Sequence, residues 1–165
     1  MRLELIQPFI NATDAVLAEM LQAPAKVAQV AMDEEVYRRK GVAASVTIHG
    51  DIEGYVIFDL ETETALRVAG ALAGAEVDPK EETARETVCE LANMVVGNAV
   101  TLLNDQGHTF KVLPPELHTA EKGYTGGRQS EALVMCFDTP IGKVYLNIGL
   151  DYGRQGSTLA PEANA

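Results

Sequence analysis

At 165 residues with 47% apolar content, the chain has the length of one domain and enough apolar side chains to bury a core without disulfide or metal staples. A formal charge of -11 and a pI near 4.6 argue against nucleic acid and anionic membrane as partners, because both would repel this surface, and favour a partner with a basic patch. No run approaches the roughly 18 to 20 uninterrupted apolar residues of a membrane helix, and the N-terminal stretch lacks a basic segment followed by an apolar one, so the chain reads as soluble and cytoplasmic. Cys89 and Cys136 sit in apolar segments without a CxxC partner and read as buried, reduced thiols.

The opening segment repeats apolar residues at helical spacing from Leu3 to Leu21, with Pro8 either starting the helix proper or kinking it and Pro24 ending it. Lys26 to Met32 reads as a short strand and Asp33 to Lys40 as a solvated connection closed by Gly41. Val42 to His49 and Gly54 to Leu60, joined by Gly50-Asp51-Ile52-Glu53, predict a β-hairpin. Thr62 is a good N-cap for a helix over Glu63 to Ala73, which Gly74 stops. Asp78-Pro79-Lys80-Glu81 combines an acidic N-cap, Pro at N1 and a Glu in capping-box spacing, and predicts a helix running to Asn104 or Asp105. A strand from Thr109 to Leu113 follows, then the break Pro114-Pro115, an irregular stretch from Glu116 to Gln129, and a second hairpin of Ala132 to Asp138 and Gly142 to Leu150. One folded unit therefore spans residues 1–150, and residues 151–165 form a tail without apolar periodicity.

The two hairpins overlay at a constant offset of 88 residues without a gap, Val46 on Val134, Ile48 on Cys136, Gly54 on Gly142, Val56 on Val144 and Phe58 on Leu146. This pattern predicts an internal duplication and an α+β layered fold, a mainly antiparallel sheet of about six strands with long helices packed on it.

On a wheel of about 100° per residue, Val88, Leu91, Ala92, Val95, Val96, Ala99, Leu102 and Leu103 form the core stripe of the helix from Glu81 to Asn104. Glu86, Glu90, Asn93 and Gly97 fall on the opposite, solvent-facing stripe. A solvent face needs only Lys and Glu, so Glu90 and Asn93 alone would be decoration. Gly97 costs the helix about 1 kcal/mol relative to Ala, however, and Asn93 is a mediocre helix former, so the stripe reads as one kept clear for a partner. No Ser, Cys or His shares their stripe to act as a nucleophile, and one acid with one amide is a poor metal site. A carboxamide can orient an attacking water through its donor and acceptor together, and a neighbouring carboxylate can anchor a cation. That pair suits hydrolysis of a phosphoryl group that arrives activated on another protein.

Glu90-x-x-Asn93 followed by Pro115, together with Gly50-Asp51-Ile52-Glu53-Gly54, Glu63-Thr64-Ala65-Leu66 and Glu90-Leu91-Ala92-Asn93-Met94, resembles the CheC, CheX and FliY phosphatases, and CheX most, over roughly Ala43 to Pro115. The resemblance implies a CheC-like fold and dephosphorylation of a CheY-like response regulator phosphorylated on aspartate. It implies that Glu90 docks on a lysine of the regulator and that Asn93 positions the hydrolytic water. Mg2+ would be held by the regulator, with no cofactor or metal on this chain, and two copies would form a homodimer. Glu86, Gly97 and Pro115 would belong to the partner-binding surface. Glu86 departs from the family pattern, which has Asp or Ser four residues before the Glu. The alternative is a non-catalytic module that binds a phosphorylated regulator or a flagellar switch component. A second site in the first half is offered only by Glu4-x-x-Gln7 before Pro8, so one site per chain is expected. A small-molecule hydrolase is disfavoured, since there is no P-loop, nucleophile elbow or metal cluster and His49, His108 and His118 are scattered.

Overall fold

The computed structural model describes residues 3–22, 26–33, 38–75, 79–119 and 132–153. In chain order the elements are α1 (Leu3–Leu21), β1 (Lys26–Asp33), β2 (Val42–Gly50), β3 (Ile52–Leu60), α2 (Thr62–Ala73), α3 (Glu81–Asp105), β4 (Phe110–Val112), β5 (Glu116–Leu117), β6 (Ala132–Thr139) and β7 (Gly142–Tyr152). Six strands run in the order β1-β6-β7-β3-β2-β4, every neighbouring pair antiparallel, and β5 adds a seventh by pairing with β2 beyond β4.

Strand alternation gives the sheet one strongly apolar face. Val42, Ala44, Val46 and Ile48 of β2, Val56, Phe58 and Leu60 of β3, Val144, Leu146 and Ile148 of β7 and Met135 and Phe137 of β6 join the buried faces of α1, α2 and α3 in one core. The opposite face holds a smaller cluster of Ala43, Tyr55 and Ile57. β3 and β7 form the longest ladder, from Ile52↔Tyr152 to Leu60↔Val144. Their backbones come so close at Gly54 that a Cβ there would lie 1.9 Å from the Gly149 carbonyl oxygen, and its φ of 147° already favours glycine. The buried Asp59 carboxylate, on β3, accepts the backbone N–H groups of Lys40 and Gly41 and so fixes the chain where it enters β2.

The duplication is visible in the strand order, which reads the same from both ends once β1 is exchanged for β4 and β5, β6 for β2 and β7 for β3. The gapless overlay holds for β3 on β7 and fails for β2 on β6. Val46 lies opposite Val56, but the residue opposite Val144 is Phe137, three positions beyond Val134. The second hairpin turns tightly between Thr139 and Gly142, whereas the first closes at Ile48 and Gly54 around a longer connection. The difference is odd, so it also decides which face each residue of β6 takes.

Several boundaries differ from the sequence reading. α3 begins at Glu81 with Lys80 as its N-cap in extended conformation, two residues later than the Asp78-Pro79 pattern predicts. Asp78 lies outside the described residues, and the Glu81 carboxylate accepts a bond from Arg85 one turn on, at 3.0 Å. Glu61 rather than Thr62 caps α2, while Gly74 ends it in the left-handed conformation as anticipated. α1 runs through Pro8. β1 reaches Asp33, and Ile52 and Glu53 belong to β3. Glu116 and Leu117 pair with Ser45 and Ala44 instead of being irregular. β7 continues past Leu150 to Tyr152, with the Gly153 N–H bonded to the Asp51 carbonyl. The stretch from Ala120 to Gln129 and the tail beyond Gly153 lie outside the described residues.

Candidate functional site

The site is a consequence of how α3 is buried. Ala84, Thr87, Val88, Leu91, Ala92, Val95, Val96, Ala99 and Leu103 face the core, where α3 packs against α1, α2 and β2. That leaves Glu86, Glu90, Asn93 and Gly97 exposed along one line of the helix, as the wheel predicts. Leu102 does not follow the wheel and is 42% exposed. The buried stripe winds around the helix from Thr87 and Leu91 to Val96 and Leu103, so a core angle assigned from the middle of α3 no longer points inward at its end.

Glu90 and Asn93 stand one helical turn apart, with Cβ atoms about 5–6 Å from each other. Among the described residues, neither they nor Glu86 makes a hydrogen bond or ion pair. Two other exposed acids are engaged, Glu81 of α3 by Arg85 and Glu63 of α2 by Arg67. Glu86 and Glu90 are moreover like charges at i, i+4, an arrangement that costs a helix about 0.2–0.5 kcal/mol. At Gly97 a built Cβ meets nothing within 4 Å, so no packing among the described residues requires a glycine there. The Thr101 hydroxyl donates to the Gly97 carbonyl at 3.0 Å, a contact the wheel did not single out. Pro115 lies off the helix, half-buried in the segment joining β4 to β5, and β5 packs against α3. The four helical residues are thus gathered on one face, and Pro115 lies off that helix, next to β5 in the chain.

Cys89, beside Glu90, is half-buried and its thiol is pushed above its ordinary range by burial, as is that of buried Cys136. Both are therefore mostly protonated near neutral pH and poor nucleophiles. His49, His108 and His118 lie on β2, after α3 and after β5, and among the described residues no group of three or more His, Cys, Asp or Glu side chains is arranged to hold a metal ion.

A second copy of the pair is absent from α1. Its buried residues Leu5, Pro8, Phe9, Ala12, Thr13 and Val16 superimpose in sequence on Val88, Leu91, Ala92, Val95, Val96 and Ala99 of α3 without a gap. That register sets Gln7 against Glu90 and the half-buried, apolar Ile10 against Asn93. The acid of Glu4 accepts a hydrogen bond from the Tyr152 hydroxyl at 3.0 Å, and the Gln7 amide donates to Asn11 at 2.8 Å. Glu4 and Gln7 are already engaged, and no amide occupies the Asn93 position.

A family model described as chemotaxis phosphatase CheX matches residues 42–138, more than half of the chain and the whole of α3. The chain belongs to the CheX family. Among curated proteins, the CheY-P phosphatase CheX of Thermotoga maritima is 35% identical over 71 residues, which are 42% of this chain and 46% of that protein. The match thus spans less than half the length of this relative. A chain in the CheX-CheY-BeF3-Mg+2 complex from Borrelia burgdorferi is 32% identical, with 90% of this chain and 99% of that chain covered and a TM-score of 0.65. CheX from Desulfovibrio desulfuricans superimposes with a TM-score of 0.75 over 90% of this chain and 99% of its own at 23% identity, a likeness of fold.

Gly97→Ala will make the isolated protein more stable by about 0.5–1 kcal/mol, because the alanine lowers backbone entropy in the unfolded chain and meets no neighbour in the folded one. Urea unfolding of the two proteins measures this, and a less stable variant would show that the glycine serves the fold itself.

Proposed function

We propose that the chain is a protein phosphatase that removes phosphate from the aspartyl phosphate of a CheY-like response regulator. The observation that carries this reading is the exposed Glu90–Asn93 pair on α3, unengaged among the described residues and inside the region matched by the CheX family model. The 32%-identical relative supports it, having been solved together with CheY, BeF3 and Mg2+. The Mg2+ of the reaction would be held by the regulator.

An aspartyl phosphate is an activated acyl phosphate, so its hydrolysis needs a placed water and stabilised charge more than a new covalent intermediate. Asn93 serves that need by accepting a hydrogen bond from the water with its carbonyl oxygen and offering its NH2 group to a neighbouring oxygen. Glu90, one turn earlier, pairs with a cationic side chain of the regulator and holds the helix at the depth at which Asn93 reaches the phosphoryl group. Glu86 extends the acidic stripe, Gly97 lets the regulator approach the α3 backbone, and Pro115 holds the flanking segment in shape. The net charge of -11 favours a basic rim on the partner and a salt-sensitive encounter.

The same reading extends to assembly and location. β1 ends the sheet with eight residues whose outer edge pairs with no described strand, and a second copy would satisfy it, giving a homodimer. Sedimentation should then give twice the chain mass of 17.7 kDa; a monomer at all concentrations would refute the dimer. The regulator, and with it this protein, would be cytoplasmic.

At substoichiometric protein, a phosphorylated regulator with Mg2+ should lose phosphate faster than by its own hydrolysis. Asn93→Ala should remove about a hundredfold of the acceleration, whereas Gln7→Ala should leave it unchanged. Phosphate release followed over several turnovers decides the matter. Binding without acceleration would leave a docking module in place of an enzyme.

A further inference from the structure

Arg85 immediately precedes Glu86 and is therefore turned about 100° around α3 from the docking stripe. On that flank a cleft of about 340 Å³ opens between the first turns of α3 and the edge of the sheet. Its size is at the lower end of small-molecule sites, which run from about 300 to 1,000 Å³. Val42, Ala43 and Leu117 give it apolar walls, and Leu117 is 40% exposed there. Arg39, Arg85 and His118 also line it, against one acid, Glu81.

Two guanidinium groups thus share one cleft in a chain whose net charge is -11. Arg39, which lines the cleft, is steadied by a bond from one guanidinium nitrogen to the Gly41 carbonyl oxygen at 2.5 Å. His118 is buried, its backbone N–H fixed to the Ala43 carbonyl at 2.8 Å. Glu81 is the first residue of α3, so the cleft also meets the positive end of the helix, whose N-cap Lys80 makes no side-chain capping bond. The Glu81 carboxylate lies 3.0 Å from Arg85, with Glu81 68% and Arg85 49% exposed. A pair so open to water is weakly held and readily exchanged.

We propose that this cleft binds a small organic oxyanion, a carboxylate or phosphate monoester with a short apolar body, whose head takes the place that the Glu81 carboxylate holds against Arg85. Arg39 closes on the head from the opposite wall, and the apolar body lies on Val42, Ala43 and Leu117. The inference rests on the cleft alone and stands or falls independently of the phosphatase reading.

NMR titration of the full chain with inorganic phosphate, acetate and butyrate tests it. Saturable shifts confined to the amides around residues 81–85 and 117–119 are expected, with millimolar affinity. Butyrate should bind at least about threefold tighter than acetate, since its extra methylenes leave water. Glu81→Gln should tighten binding by about threefold or more and Arg85→Gln should weaken it about tenfold, both changes falling on exposed side chains that the fold does not need. Shifts that never saturate, or an affinity unchanged by Glu81→Gln, would overturn the proposal.

Discussion

The ladder between β3 and β7 is the constraint from which the rest of the molecule follows. It joins the two halves of the duplicated chain through nine residue pairs, and Phe58 and Leu146, which correspond to each other, are paired directly across it. Side chains from both strands supply the middle of the apolar face, and α1 and α3 lie over that face because their own apolar stripes can be buried nowhere else. The close approach at Gly54 shows how tightly the two backbones are drawn together. With the platform set, the direction in which α3 presents its remaining face is no longer free.

That face departs from what helix stability alone would select. Two acids stand at i, i+4 without a basic partner among the described residues, an asparagine occupies a position where Gln or Lys would favour the helix, and a glycine sits where an alanine would fit. Each departure is small, and together they amount to about 1–2 kcal/mol of forgone stability on one stripe of one helix. α1 shares much of that pattern of buried residues but has neither the acid pair at i, i+4 nor the glycine. Its Glu4 accepts from Tyr152, its Gln7 donates to Asn11, and an apolar Ile10 stands where α3 has its amide. Duplication explains why the two helices are alike, and their unequal faces are why the proposed docking surface is assigned to α3 alone.

Much of this was legible in the residues. Alternating Val, Ile and Phe gave away both hairpins, and the spacing from Val88 to Leu103 placed Glu90 and Asn93 in solvent, because burial of a long amphipathic helix follows its apolar stripe closely. Local signals failed where tertiary contacts overrode them. Lys80 is extended, so the attractive capping pattern at Asp78-Pro79 does not start α3. β5 is two residues long, too short for any alternation to announce it, and its pairing with β2 is what buries His118 and shapes the wall of the anion cleft. The face flip in β6 depends on the length of one turn, and a gapless overlay of two hydrophobic hairpins is blind to it. Leu102 is exposed because the buried stripe winds along α3, which a flat wheel cannot represent.

The central claim assigns unequal parts to two neighbouring side chains, Glu90 for docking and Asn93 for the placement of water. Equilibrium affinities of Glu90→Ala and Asn93→Ala for a regulator loaded with beryllofluoride and Mg2+, a mimic of the phosphorylated state, test that division directly. The account predicts that Glu90→Ala weakens the complex at least about tenfold, as expected for loss of a charge-assisted contact, while Asn93→Ala stays within about threefold of the parent chain. Equal losses of affinity in the two variants would contradict it.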